Sequence, residues 1–186
     1  GTTALLVLPL QEGVEPRAAG LLHDGVTSAR AAVREQSMSD LMPSVQRALT
    51  VLLVDDHAMM RQGLRSVLEA HADIQIVGEA SDGHEAVAMA DTLRPAVVIM
   101  YINMPRLNGI EATRQIKQHA PELRVVLLAM HAGTYVAEAI HAGANACVFK
   151  EDFDRELLPA IKAALEGRTY LSQRISELAL EDYVRR

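Results

Sequence analysis

From residue 50 onward, short apolar runs alternate with segments whose apolar residues recur every three to four positions. The runs fall at 50–54, 74–78, 96–101, 123–129 and 145–149 and are dominated by Val, Ile, Leu and Ala. They are continuous rather than alternating, which predicts strands covered on both faces in a parallel sheet. Helical periodicity fills the gaps. In 57–70, Met60, Leu64, Val67 and Leu68 share one stripe. In 82–93, Asp82 is placed to cap the N-terminus, with Ala86, Val87 and Ala90 facing inward. Segment 108–119 carries Ile110, Thr113 and Ile116, and 132–142 carries Val136, Ala139 and Ile140 before Gly143. The last segment, 154–166, carries Leu157, Leu158, Ile161 and Leu165 and stops at Gly167. Its Pro159 removes one backbone hydrogen bond and predicts a kink. Five strands alternating with five helices predict an α/β fold, a doubly wound five-stranded parallel sheet with helices on both faces.

In such folds the functional crevice lies at the carboxyl ends of the strands. Asp55, Asp56, Tyr101, Ala129 and Lys150 all sit at or just past a predicted strand end. Three carboxylates converging there would make a site for Mg²⁺ and phosphoryl transfer; this chain offers two and a phenol.

Composition narrows the class. Hydrophobic residues make up 49% of 186, with two Phe and no Trp, so the core is aliphatic. The formal charge of −6 argues against nucleic-acid binding by this chain alone. The single Cys147 excludes an intramolecular disulfide and fits a reducing, cytoplasmic compartment. No apolar run reaches the roughly 18 residues of a membrane span. His57, His71, His84, His119, His131 and His141 are scattered without metal-ligand spacing. No Gly-rich phosphate loop or nucleophile–base set accompanies the acid pair, which leaves an independent enzyme poorly supported.

The stretches Val51–His57, Met104–Ala112, Leu127–His131 and Val148–Asp152 resemble, in order and spacing, the receiver domain of bacterial two-component response regulators. Val77–Gly83 and Gly167–Ser172 bring the NarL/FixJ subclass nearest. The resemblance covers about residues 50–185 and implies a CheY-like, flavodoxin-like sheet of strand order 2-1-3-4-5. It also implies a phosphorelay in which a histidine kinase phosphorylates an aspartate at the end of the third strand. The acid pair then holds Mg²⁺, and a Thr or Ser and a Lys contact the phosphoryl group. That switch reshapes the face of the fourth helix, fifth strand and fifth helix, which forms a homodimer or docks a partner.

Carried over residue by residue, Asp55 and Asp56 match the acid pair, Asn103 the residue whose carbonyl would ligate Mg²⁺, and Lys150 the phosphate-contacting lysine. The departures matter more. Tyr101 stands at the phosphoacceptor position, Ala129 at the switch hydroxyl, and Cys147 where the subclass places an aromatic. A phenol with a pKa of about 10 is mostly protonated at neutral pH and is no carboxylate nucleophile. Its hydroxyl is expected to donate to Asp55 or Asp56, and Mg²⁺ binding is expected to be weakened by the lost ligand. A buried structural tyrosine filling vacated space is the plainer reading of Tyr101, and a small core residue that of Cys147.

The favoured reading is a pseudo-receiver acting through protein contacts. The rival is a conventional phosphoaccepting receiver of a hybrid sensor histidine kinase or DNA-binding response regulator, in which Tyr101 is an error or mutation from Asp. At the ends, residues 1–10 resemble the closing strand of a histidine-kinase ATPase domain, 11–49 read as a linker, and 50–167 as the receiver. Residues 168–186 read as a linker or helix toward an absent helix-turn-helix domain, the only route to DNA.

Overall fold

Every apolar run becomes a strand, and every periodic segment becomes a helix. The computed structural model describes residues 48–130 and 134–184. The readings of 1–10 as a kinase strand and of nearly all of 11–49 as a linker lie outside the described residues. The chain runs β1 (Leu49–Val54), α1 (Ala58–Glu69), β2 (Ile74–Ala80), α2 (Gly83–Leu93), β3 (Val97–Tyr101) and α3 (Gly109–His119). It continues through β4 (Arg124–Ala129), α4 (Thr134–His141), β5 (Ala146–Phe149), α5 (Phe153–Leu165), β6 (Tyr170–Leu171) and α6 (Gln173–Val184).

All strand pairs are parallel, in the order β2-β1-β3-β4-β5-β6. Helices α1 and α5 pack together on one face, and α2, α3 and α4 line up on the other. Central strands bear the consequence: Val51–Val54, Val97–Met100 and Val125–Leu128 are fully buried, whereas β2 at the sheet edge is mostly half-exposed.

Local signals act as their chemistry dictates. Asp82 accepts a hydrogen bond from the Glu85 amide at 3.0 Å and starts α2, and Asn108 does the same for α3 through the Glu111 amide at 2.9 Å. Gly143 (φ 101°) and Gly167 (φ 74°) end α4 and α5 in the left-handed region that glycine enters without steric penalty. Helix α5 runs through Pro159 without interruption.

Among the described residues the five-strand expectation is corrected to six. Tyr170 and Leu171 pair with Ala146 and Cys147 along the free edge of β5. The Tyr170 amide donates to the Asn145 carbonyl, and the Ser172 amide to that of Cys147, both at 3.0 Å. Ser172 Oγ accepts the Phe149 amide at 3.2 Å. Two residues are too few to show a period, so the strand was invisible in the apolar pattern. Helix α6 follows and packs on α4 and β5 through the fully buried Ile175. Arg174 lies 4.0 Å over the Phe149 ring and 3.1 Å from Glu151. The β5 edge of the expected docking face is thus closed by the chain's own C-terminal segment.

Candidate functional site

At the carboxyl edge of the sheet, the turn leaving β1 buries Asp55 completely. Its backbone amide donates to the Ala80 carbonyl at 3.2 Å, and its carbonyl accepts from Arg61 Nη1 at 2.7 Å. Carboxylate Oδ1 accepts the His57 amide at 2.8 Å. The His57 ring then turns back on both acids, with Nδ1 3.2 Å from Asp55 Oδ1 and 2.9 Å from Asp56 Oδ1. Asp55 Oδ2 accepts no hydrogen bond, yet Lys150 Nζ lies 2.8 Å away, a charge contact without hydrogen-bond alignment. Lys150 is the first residue past β5, and its side chain is only 11% exposed. With no other donor at Oδ2 among the described residues, that ammonium is the group compensating the buried charge.

Tyr101 ends β3 and is 5% exposed. Its ring forms the floor under Lys150, with Nζ 3.6 Å from the ring centroid. At that distance the ring quadrupole attracts the cation, worth about 0.5–2 kcal/mol depending on desolvation. Among the described residues no aligned hydrogen bond joins its hydroxyl to Asp55 or Asp56, the partners the sequence suggested, and Asn103 is the polar side chain that acts on it. The aspartates act on it only through their charge. Burial pushes the phenol up from its ordinary value, the two carboxylates add to the rise, and Asn103 opposes it. At neutral pH it stays a neutral hydroxyl.

The loop beyond Tyr101 is tied down. Ile102 donates to the Leu128 carbonyl at 3.0 Å, and Gly109 donates to that of Ile102 at 2.8 Å. Arg106 reaches across to Asp82, already the cap of α2. Asp55, Asp56, Tyr101, Asn103 and Lys150 are therefore gathered at one rim. Ala129 ends β4 between β3 and β5, buried and without a hydroxyl. Cys147 is not at the rim: it lies inside β5, fully buried, with Leu127 and Leu171 beside it. Burial pushes its thiol up to about 12.

A receiver's Mg²⁺ requires an octahedron of oxygens. The donors clustered here are Asp55, Asp56 and the His57 imidazole. Asp55 Oδ1 is engaged by His57, Oδ2 faces a cation 2.8 Å away, and the third carboxylate is a phenol. The residues present do not fit Mg²⁺. His57 is the participant that sequence reasoning passed over. Its only signal was adjacency, since three donors in a row past a strand end turn onto one another.

A family model described as the response regulator receiver domain matches residues 51–162. The transcriptional regulatory protein DegU of Brevibacillus brevis is 30% identical over 141 residues, covering 75% of this chain and 60% of DegU. LiaR of Bacillus subtilis is 39% identical over 129 residues, covering 69% of this chain and 61% of LiaR. This chain thus spans about 60% of the length of these relatives. The crystal structure of a LuxR-family two-component response regulator from Aurantimonas sp. superposes with a TM-score of 0.70 at 36% identity, covering 74% of this chain and 99% of that one. Sheet order and sequence agree, and the chain belongs to the response regulator receiver domain family.

Proposed function

We propose that this receiver takes no phosphoryl group at position 101 and signals through protein contacts alone. One observation carries the reading: a neutral, buried phenol ends β3 beneath the Lys150 ammonium, where a carboxylate nucleophile would have to stand. Mg²⁺ binding is weakened for the same reason. Ala129 adds that no hydroxyl follows a phosphate, and Cys147 that no aromatic rotamer relays its arrival. The output surface is the α4, β5 and α5 side as extended by β6 and α6, and its partners are a histidine kinase, another signalling protein or a second copy. Relatives named as transcriptional regulators support a parent protein that acts in the cytoplasm on transcription, with DNA contacted by a further domain. Any kinase activity would belong to an upstream domain and not to this module, and 168–186 would lead toward the DNA-binding part.

Amide NMR spectra with and without acetyl phosphate and Mg²⁺ test this. The proposal expects superimposable spectra. Shifts spreading along β4, α4 and β5 would support the conventional phosphoaccepting alternative.

A further inference from the structure

The residues that fail to fit Mg²⁺ show what has replaced it. We infer that Lys150 is the pocket's resident cation, an internal ammonium seated between the Asp55 carboxylate and the Tyr101 ring, which bars divalent ions from the acid pair. This rests on the reading of position 101 as a non-acceptor and concerns what that substitution does to the lysine.

Three features converge on one nitrogen. Asp55 is fully buried, and its Oδ2 accepts no hydrogen bond among the described residues, so its charge needs a cation within contact distance. Lys150 Nζ is 2.8 Å away. The same Nζ is 3.6 Å above the Tyr101 ring, which offers negative electron density where a carboxylate would offer oxygen ligands. A metal at the acid pair would lie within a few ångströms of that ammonium. It would have to expel Lys150 from both partners or bear its repulsion. The remaining face of the pair is also engaged, since His57 Nδ1 sits 2.9 Å from Asp56 Oδ1. The arrangement is self-neutralising: the end of β5 is fastened to the end of β1 across the ring at the end of β3. The tie needs neither metal nor phosphate to form.

The test is a Mg²⁺ titration of the protein and of Lys150→Met, followed by amide NMR shifts at residues 54–57 and 101–103. The titration runs to about 10 mM, above the range of weak protein oxygen sites. The protein itself should show no saturable shift, while Lys150→Met gains one, with affinity raised about tenfold or more by loss of the neighbouring like charge. Saturable Mg²⁺ binding by the unaltered protein overturns the inference, and so does a folded Lys150→Met that stays silent. If Lys150→Met does not fold, Lys150→Gln decides. It keeps a polar head on the stem but removes the charge beside Asp55, so it must bind Mg²⁺ more tightly than the unaltered protein, and equal silence overturns the inference. Phosphoryl transfer is not read here, so failure of this inference is separable from failure of the non-acceptor reading.

Discussion

Replacing Asp55 with Asn strips the charge from a carboxylate that is fully buried and 2.8 Å from an ammonium. At an effective dielectric of about 20, the gross attraction at that separation is about 6 kcal/mol. Desolvation of both ions offsets most of it. The measurable quantity is what happens when one partner is left behind, typically about 3–5 kcal/mol for a buried pair. The two single substitutions should differ. Lys150 has a long stem and a partly open route to solvent, so Asp55→Asn should cost less than that range, about 2–3 kcal/mol. Asp55 is held by backbone bonds on both sides and has no such escape. Lys150→Met should therefore cost more, about 3–5 kcal/mol. The double variant should cost less than the sum of the singles, with a coupling energy of about 2 kcal/mol. Urea unfolding followed by far-ultraviolet circular dichroism suits a chain without Trp, and equal slopes would support two-state behaviour. An Asp55→Asn within about 0.5 kcal/mol of the parent, or strictly additive singles, would refute the claim that Lys150 neutralises a buried charge.

Three further outcomes follow from the geometry. The Tyr170 phenol is pushed up to about 12, chiefly by burial and then by its bond to Glu156. Its folded value lies above the unfolded value of about 10, so its contribution is complete below pH 10 and is lost as pH rises toward 12. The urea midpoint should fall across that window, and less steeply in Tyr170→Phe; equal slopes would contradict it. The Cys147 thiol, buried and pushed up to about 12, should resist Ellman's reagent at pH 8 until urea unfolds the sheet. Rapid labelling of the folded protein would mean that β6 does not stay on β5. An added Cβ at Gly109 would meet the Tyr101 backbone carbonyl, so Gly109→Ala should cost about 1–3 kcal/mol in urea unfolding, and a neutral result would mean the loop after β3 is looser than described.

The layout of the sheet was legible because parallel strands buried on both faces leave uninterrupted apolar runs, and the helices between them keep one apolar stripe each. Asp82, Gly143 and Gly167 marked helix ends because their side chains, or the lack of one, do local work that needs no tertiary context. The rim was legible too, since a strand end fixes where Asp55, Tyr101 and Lys150 lie. What the chain did not disclose were directions. Nothing in the spacing says that the Tyr101 hydroxyl passes over the acids, that Lys150 meets the Tyr101 ring and Asp55 at once, or that His57 folds back over the pair. Those depend on rotamers chosen by neighbours from other strands. Strand β6 escaped for another reason: it exists because the β5 edge offers unpaired backbone groups, a cause located elsewhere in the molecule.

The central claim is that this rim, with a phenol at position 101, accepts no phosphoryl group. Intact-mass spectrometry after incubation with phosphoramidate and Mg²⁺ tests it most directly, with the parent and Tyr101→Asp measured side by side. The account predicts an unmodified parent mass, whatever the variant does. A single phosphoryl adduct on the parent, mapped to Asp55 or Asp56 or to Tyr101 itself, would contradict it.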